Sequence, residues 1–139
     1  MLRTTRISTL SAVIALFITT LACNALAVKP SVSNIRMTTD ETGKTTTISY
    51  APGDAFYVFA DLNGLKTGSV VEAKWVAINV AGEEPNSEIN TSDYTYQSQI
   101  AFIYFKLTTN DGSDWPVGSY RVDLYLDETL IGSQTFSVQ

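Results

Sequence analysis

Ser119-Tyr120-Arg121-Val122-Asp123-Leu124-Tyr125-Leu126-Asp127 alternates apolar and polar residues more cleanly than any other stretch of the chain. Successive side chains of a strand point to opposite faces, so this period of two predicts a half-buried strand. Tyr120, Val122, Leu124 and Leu126 face a core; Arg121, Asp123, Tyr125 and Asp127 face away. An apolar strand face must be covered by a second layer, and here the rest of the sequence supplies more strands.

Leu130 to Val138 follows as a closing strand with Phe136 and Val138 inward. Upstream, Gln99 to Thr109 is apolar on both faces, and Tyr94 to Gln97 reads as a short strand. Val71 to Asn79 places Val71, Ala73, Trp75 and Ala77 on one face, so Trp75 is the expected core tryptophan. Ala55 to Leu62 turns Phe56, Val58, Ala60 and Leu62 inward and Tyr57, Phe59 and Asp61 outward. Ser31 to Thr38 is a modest first strand, and the threonine-rich Lys44 to Tyr50 reads as an edge strand. Turn residues such as Pro52-Gly53-Asp54, Asn63-Gly64 and Asn110 to Gly118 separate these runs. Ala81 to Asp93 is expected to be the longest irregular connection. The predicted fold is all-β, an antiparallel two-sheet sandwich of seven to eight strands.

Trp115-Pro116-Val117-Gly118-Ser119-Tyr120-Arg121-Val122-Asp123-Leu124-Tyr125-Leu126, followed by Gly132 and Phe136-Ser137-Val138, carries a resemblance. It resembles the last hairpin of exported bacterial immunoglobulin-like domains. The resemblance spans about residues 115–138 and implies a tyrosine corner, with the Tyr120 hydroxyl bonding back to the loop. Members of that family are mostly binding, adhesion or accessory modules, so the resemblance implies a role of that kind by analogy of fold.

Composition narrows the chemistry. The 139 residues contain no histidine and one cysteine, Cys23. Serine–histidine triads, cysteine–histidine dyads and most metal sites are thereby excluded. The carboxylate pairs Glu83 with Glu84 and Asp111 with Asp114 read as solvated surface acids, and a small sandwich leaves little room for a glycosidase cleft. No catalytic residue is assigned, and the chain is not expected to be an enzyme. Asn110-Asp111-Gly112-Ser113-Asp114 gathers hard oxygens but lacks the spacing and terminal glutamate of a calcium loop. It reads as a turn, with no metal or cofactor assigned.

The N-terminus reads as a leader. Arg3 and Arg6 precede the apolar run Leu10 to Ile18, which is too short to span a bilayer, and Ala25-Leu26-Ala27 fits a signal-peptidase site. Residues 1–27 are the expected signal peptide and 28–139 the expected domain, exported to the periplasm or beyond. Thr20-Leu21-Ala22-Cys23 also resembles a bacterial lipobox, with Thr20 where that pattern takes an aliphatic residue. Lipidation of Cys23 is the alternative, and it alone would bring a membrane into the account. Cleavage after Ala27 leaves no cysteine, hence no disulfide. Seven of the nine basic residues then face fourteen acidic ones, a net charge of −7 that repels nucleic acid and anionic lipid.

Aromatics are the surplus feature, at 11%. Phe102 and Tyr104 alternate with Ile103 and Phe105, so one ring pair must leave the core. Trp115, Tyr125, Tyr94 and Tyr96 join them as binding candidates, with Tyr57 and Phe59 behind. Exposed rings offer large contact area at low entropic cost. A protein partner held by a sheet face or end loops is the expected function. Carbohydrate binding, on ring pairs such as Trp115 with Tyr125 or Tyr94 with Tyr96, is the first alternative. The second is a structural subunit of a fibre or envelope assembly, joined through the edge near Lys44 to Tyr50.

Overall fold

The computed structural model describes residues 28–139; the leader, its cleavage site and Cys23 lie outside the described residues. Eight strands run in order: β1 (Ser31–Thr38), β2 (Ser49–Tyr50), β3 (Phe56–Asn63), β4 (Val70–Val80), β5 (Ser87–Thr95), β6 (Phe102–Leu107), β7 (Gly118–Leu126) and β8 (Thr129–Val138). They form a three-stranded sheet, β1-β3-β6, and a five-stranded sheet, β2-β8-β7-β4-β5. The expected all-β two-sheet sandwich is the observed architecture. One pairing departs from the antiparallel expectation, because β2 runs parallel to β8.

The alternation read in residues 119–127 builds the centre of the larger sheet. β7 pairs with β4 on one side and β8 on the other, with Trp75 opposite Val122 and Tyr120 opposite Phe136. Asp127 and Glu128 both take positive φ between β7 and β8. That two-residue geometry matches the twist of the strands it joins. Asp127 also accepts the Val70 N–H at 2.8 Å, tying the hairpin to β4.

Between the sheets, Phe56, Val58, Ala60 and Leu62 of β3 meet Val71, Ala73, Trp75, Ala77, Tyr120, Val122, Leu124, Phe136 and Val138. Phe56 is the hub of one end. Its ring lies 4.7 Å from Trp115, 4.8 Å from Phe136 and 5.0 Å from Tyr50. Offset and edge-on rings at such spacings stabilise beyond the area they bury. The Tyr50 hydroxyl donates to the Thr38 carbonyl at 2.7 Å, linking β2 back to the end of β1. Burial pushes the Tyr50 hydroxyl up to a pKa of about 12.

Four local expectations are corrected. Residues 81–93 are not one long loop, because β5 takes up Ser87–Thr95 and the connection is Ala81 to Asn86. A register shift opposite Trp75/Val76 breaks the period of two within β5, which hid the strand. Lys44 to Tyr50 yields only the two residues of β2. Before it, the chain crosses from one sheet to the other, held by a single Thr38–Thr46 bridge. Gln99 to Thr109 shortens to Phe102–Leu107. Finally, Tyr57 and Phe59 do point away from the sandwich core, yet both are buried, because other side chains cover them.

Candidate functional site

The outer surface of the three-stranded sheet holds the concentration of exposed rings. In β6, Ile103, Phe105 and Leu107 enter the core while Phe102, Tyr104 and Lys106 point outward. Register then sets their neighbours. Arg36, Phe59 and Tyr104 lie side by side across β1, β3 and β6; Asp61 sits opposite Phe102 and Tyr57 opposite Lys106.

Phe59 is the floor, only 1% exposed. Phe102 stacks against it at 6.0 Å and 24°, and Tyr104 at 5.2 Å and 22°. The Arg36 guanidinium lies 5.4 Å from the Phe59 ring centre, and the Lys106 ammonium 5.5 Å from that of Tyr57. Cations over ring faces are attracted by the ring quadrupole. Gly43, at φ 66°, lays the turn after β1 against the Phe59 ring, and a Cβ there would sit 2.7 Å from it. Asp61 closes one side, accepting from the Asn34 amide at 2.8 Å and from Arg36 at 3.1 Å. The Asn34 hydrogen bond, then Arg36, holds the Asp61 carboxyl below the usual carboxylate range.

Above this floor Phe102 remains 53% exposed and Tyr104 39%. Ile100 continues the apolar surface, and a shallow groove runs along Gln99 to Tyr104. The chemistry available here is ring stacking, cation contact, and hydrogen bonding by one phenol and by the Arg36–Asp61 pair at its side.

Of the six sequence candidates, the structure brings Phe102 and Tyr104 together. Trp115 lies at the end of the sandwich, stacked on Phe56 with its backbone N–H on the Pro52 carbonyl at 2.7 Å. Tyr125 is on the outer face of the larger sheet beneath Lys74, whose ammonium is 5.0 Å from its ring. Trp115 and Tyr125 therefore form no shared platform. Tyr94 and Tyr96 are half-buried against the core at the β5 edge. Arg36, Lys106 and Ile100 were missed, since only the register reveals Arg36 beside Phe59. At residues 110–114 the Ser113 N–H donates to Asp111 at 3.0 Å, and hydrogen bonds from Ser113 hold that carboxyl below its usual range. Among the described residues no group of three His, Cys, Asp or Glu is placed to hold a metal. Nor is any helix among them long and apolar enough to cross a membrane.

No family model and no curated protein matches the chain. Solved structures do. An immunoglobulin-like protein from Pseudomonas aeruginosa superposes with a TM-score of 0.56 at 12% identity, covering 78% of this chain and 97% of that one. The fold is an immunoglobulin-like sandwich. A β-glucosidase from Listeria innocua in complex with laminaribiose matches at a TM-score of 0.51 and 11% identity, covering 79% of this chain. The match spans 16% of the glucosidase, and such identities bear on fold alone. In this immunoglobulin-like sandwich the tyrosine corner is in place, with the Tyr120 hydroxyl donating to the Pro116 carbonyl at 2.6 Å. Gly118 permits it, because a Cβ there would collide with the Asn79 carbonyl oxygen.

Proposed function

We propose that this chain is an exported, non-catalytic binding module that engages a protein partner through the outer face of its three-stranded sheet. The observation that carries the reading is the exposed pair Phe102 and Tyr104, stacked on buried Phe59. Rings held in this way lose little freedom on binding, and aromatic and arginine side chains are enriched where protein interfaces concentrate their energy. The immunoglobulin-like fold supports a module of this kind by analogy. Arg36 and Lys106 add positive charge to an otherwise acidic chain, which favours a partner surface with apolar groups ringed by carboxylates.

Affinity capture from an envelope extract tests this. The expected result is a partner retained by the unaltered chain and by Tyr125→Ser, and lost with Phe102→Ser plus Tyr104→Ser. Each ring burying its area contributes roughly 1.5–3 kcal/mol, so the double variant weakens binding at least tenfold. Equal retention by the double variant overturns the reading. A carbohydrate ligand is the second reading, favoured by the near-parallel set of Phe59 with Phe102 and Tyr104. A glycan array that retains the chain, and releases it when both rings are replaced, would put a sugar in the partner's place.

A further inference from the structure

We infer that the open edge of β6 pairs antiparallel with β6 of a second copy of this chain, joining two three-stranded sheets into one of six strands. The inference rests on backbone geometry and stands apart from what binds the outer face.

The Leu62 N–H donates to the Ala101 carbonyl at 2.8 Å, so Leu62 and Ala101 are a hydrogen-bonded pair. Such pairs recur at every second residue of an antiparallel ladder. Ala101, Ile103, Phe105 and Leu107 therefore spend their backbone groups on β3. The N–H and C=O groups of Phe102, Tyr104 and Lys106 point off the sheet, because β6 is its last strand. Among the described residues no turn, loop or side-chain hydrogen bond reaches them.

The other three sheet edges are guarded. β1 carries a bulge between Ser33 and Arg36, with Asn34 at φ 50°. β2 is two residues long. β5 has a register shift of its own and bears Glu88 and Asp93. Bulges, short length and charge are the devices that stop edges from pairing. β6 is six residues of Phe-Ile-Tyr-Phe-Lys-Leu, with no proline, no bulge and one charge.

The occupant follows from self-complementarity. A twofold axis through Tyr104 sets Tyr104 against its own copy and Phe102 against Lys106 of the second copy, twice. That register overlaps Phe102 to Lys106 of both strands, keeps the two lysines apart, and lays each ammonium against a ring. It is also the parity in which the free backbone groups face one another. Both aromatic floors then lie on one continuous surface.

Sedimentation velocity of the purified full chain carrying Cys23→Ser tests the pairing, with hydrogen exchange as the backbone readout. A dimer that fills with rising concentration is expected. Amide exchange at Phe102, Tyr104 and Lys106 should slow with concentration, while Ile103 and Phe105 stay slow throughout. Tyr104→Lys sets two ammonium groups together at the axis and should abolish the dimer. Phe102→Lys, placed against Lys106 of the second copy, should weaken it at least tenfold. Phe102→Glu should retain or tighten it. Both replaced side chains are partly exposed, and far-ultraviolet circular dichroism matching that of the unaltered chain would confirm that the variants fold. A monomer at millimolar concentration overturns the proposal. So does equal dimerisation of Phe102→Lys and Phe102→Glu, or protection of the three amides only when a different protein is added.

Discussion

The two outer faces of the sandwich solve the same problem differently. On the five-stranded sheet, outward positions carry charge matched in short range: Lys74 with Glu72 at 3.4 Å, and Arg121 with Asp123 at 2.8 Å. Asp123 is nearly buried there and also accepts from the Ser133 hydroxyl. On the three-stranded sheet the Arg36–Asp61 pair at 3.1 Å stands at one side, and the remaining outward positions are mostly rings that bury one another. The first face is finished by water and ion pairs. The second is a small apolar layer, closed at the bottom by Phe59 and left uncovered at Phe102 and Tyr104. An outward-facing residue is thus not always a surface residue.

The sharpest test sets Phe59→Ala against Tyr125→Ala. Both rings point out of the sandwich. Removing buried Phe59 should cost about 3–5 kcal/mol in chemical denaturation, and removing Tyr125 only about 0.5 kcal/mol. Equal losses would erase the distinction between the faces. Asp123→Ala probes the charged face at its most buried point. It strands the Arg121 guanidinium and the Ser133 hydroxyl, and a loss of about 1–3 kcal/mol is expected by the same measurement. Gly43→Ala tests the turn that roofs Phe59. A positive φ combined with a methyl group against the ring should lower stability by about 1–2 kcal/mol, with Phe59 fluorescence-silent but its ring NMR signals displaced.

The smallest effect is in acid. The Asp61 carboxyl is held below its usual range, so its contribution is complete above the unfolded value of about 3.9. It disappears as pH falls through the lower folded value. The side chain is 44% exposed, so solvent screens much of this. Asp61→Asn should lower stability slightly at neutral pH, and its difference from the unaltered chain should vanish as pH falls through the lower folded value.

The centre of this fold was legible because Val58 and Ala60, Val71, Ala73 and Trp75, and Val122 and Leu124 recur at every second position and are all buried, while the register shifts of β7 with β4 and with β8 fall near strand ends. Trp75, Phe136 and Val138 all fell where alternation puts them. β5 was not legible, since its shifted register and half-exposed residues mask the period. The crossing between Thr39 and Ile48 was hidden for another reason: threonine favours strands, yet here the Thr39–Thr45 and Thr47–Met37 backbone bonds frame one isolated bridge and no ladder continues from it. At the binding face, the sequence could say that Phe102 and Tyr104 leave the core. It could not say that Arg36 and Phe59 lie beside them, because that depends on strand order and register. Nor could it separate Trp115, whose place against Phe56 arises only when the loop closes over the sandwich end.

β2 and β8 run in the same direction, joined by the Ser137 N–H on the Ile48 carbonyl at 2.9 Å and the Gln139 N–H on the Tyr50 carbonyl at 3.0 Å. Tension entering the backbone at Ser49 and leaving through Val138 drags these strands lengthwise past each other. The bonds between them then share the load and must give way together, where a peeling hairpin would surrender them singly. A tethered molecule stretched between those points should yield in one abrupt step, which gives this short pairing the character of a mechanical latch.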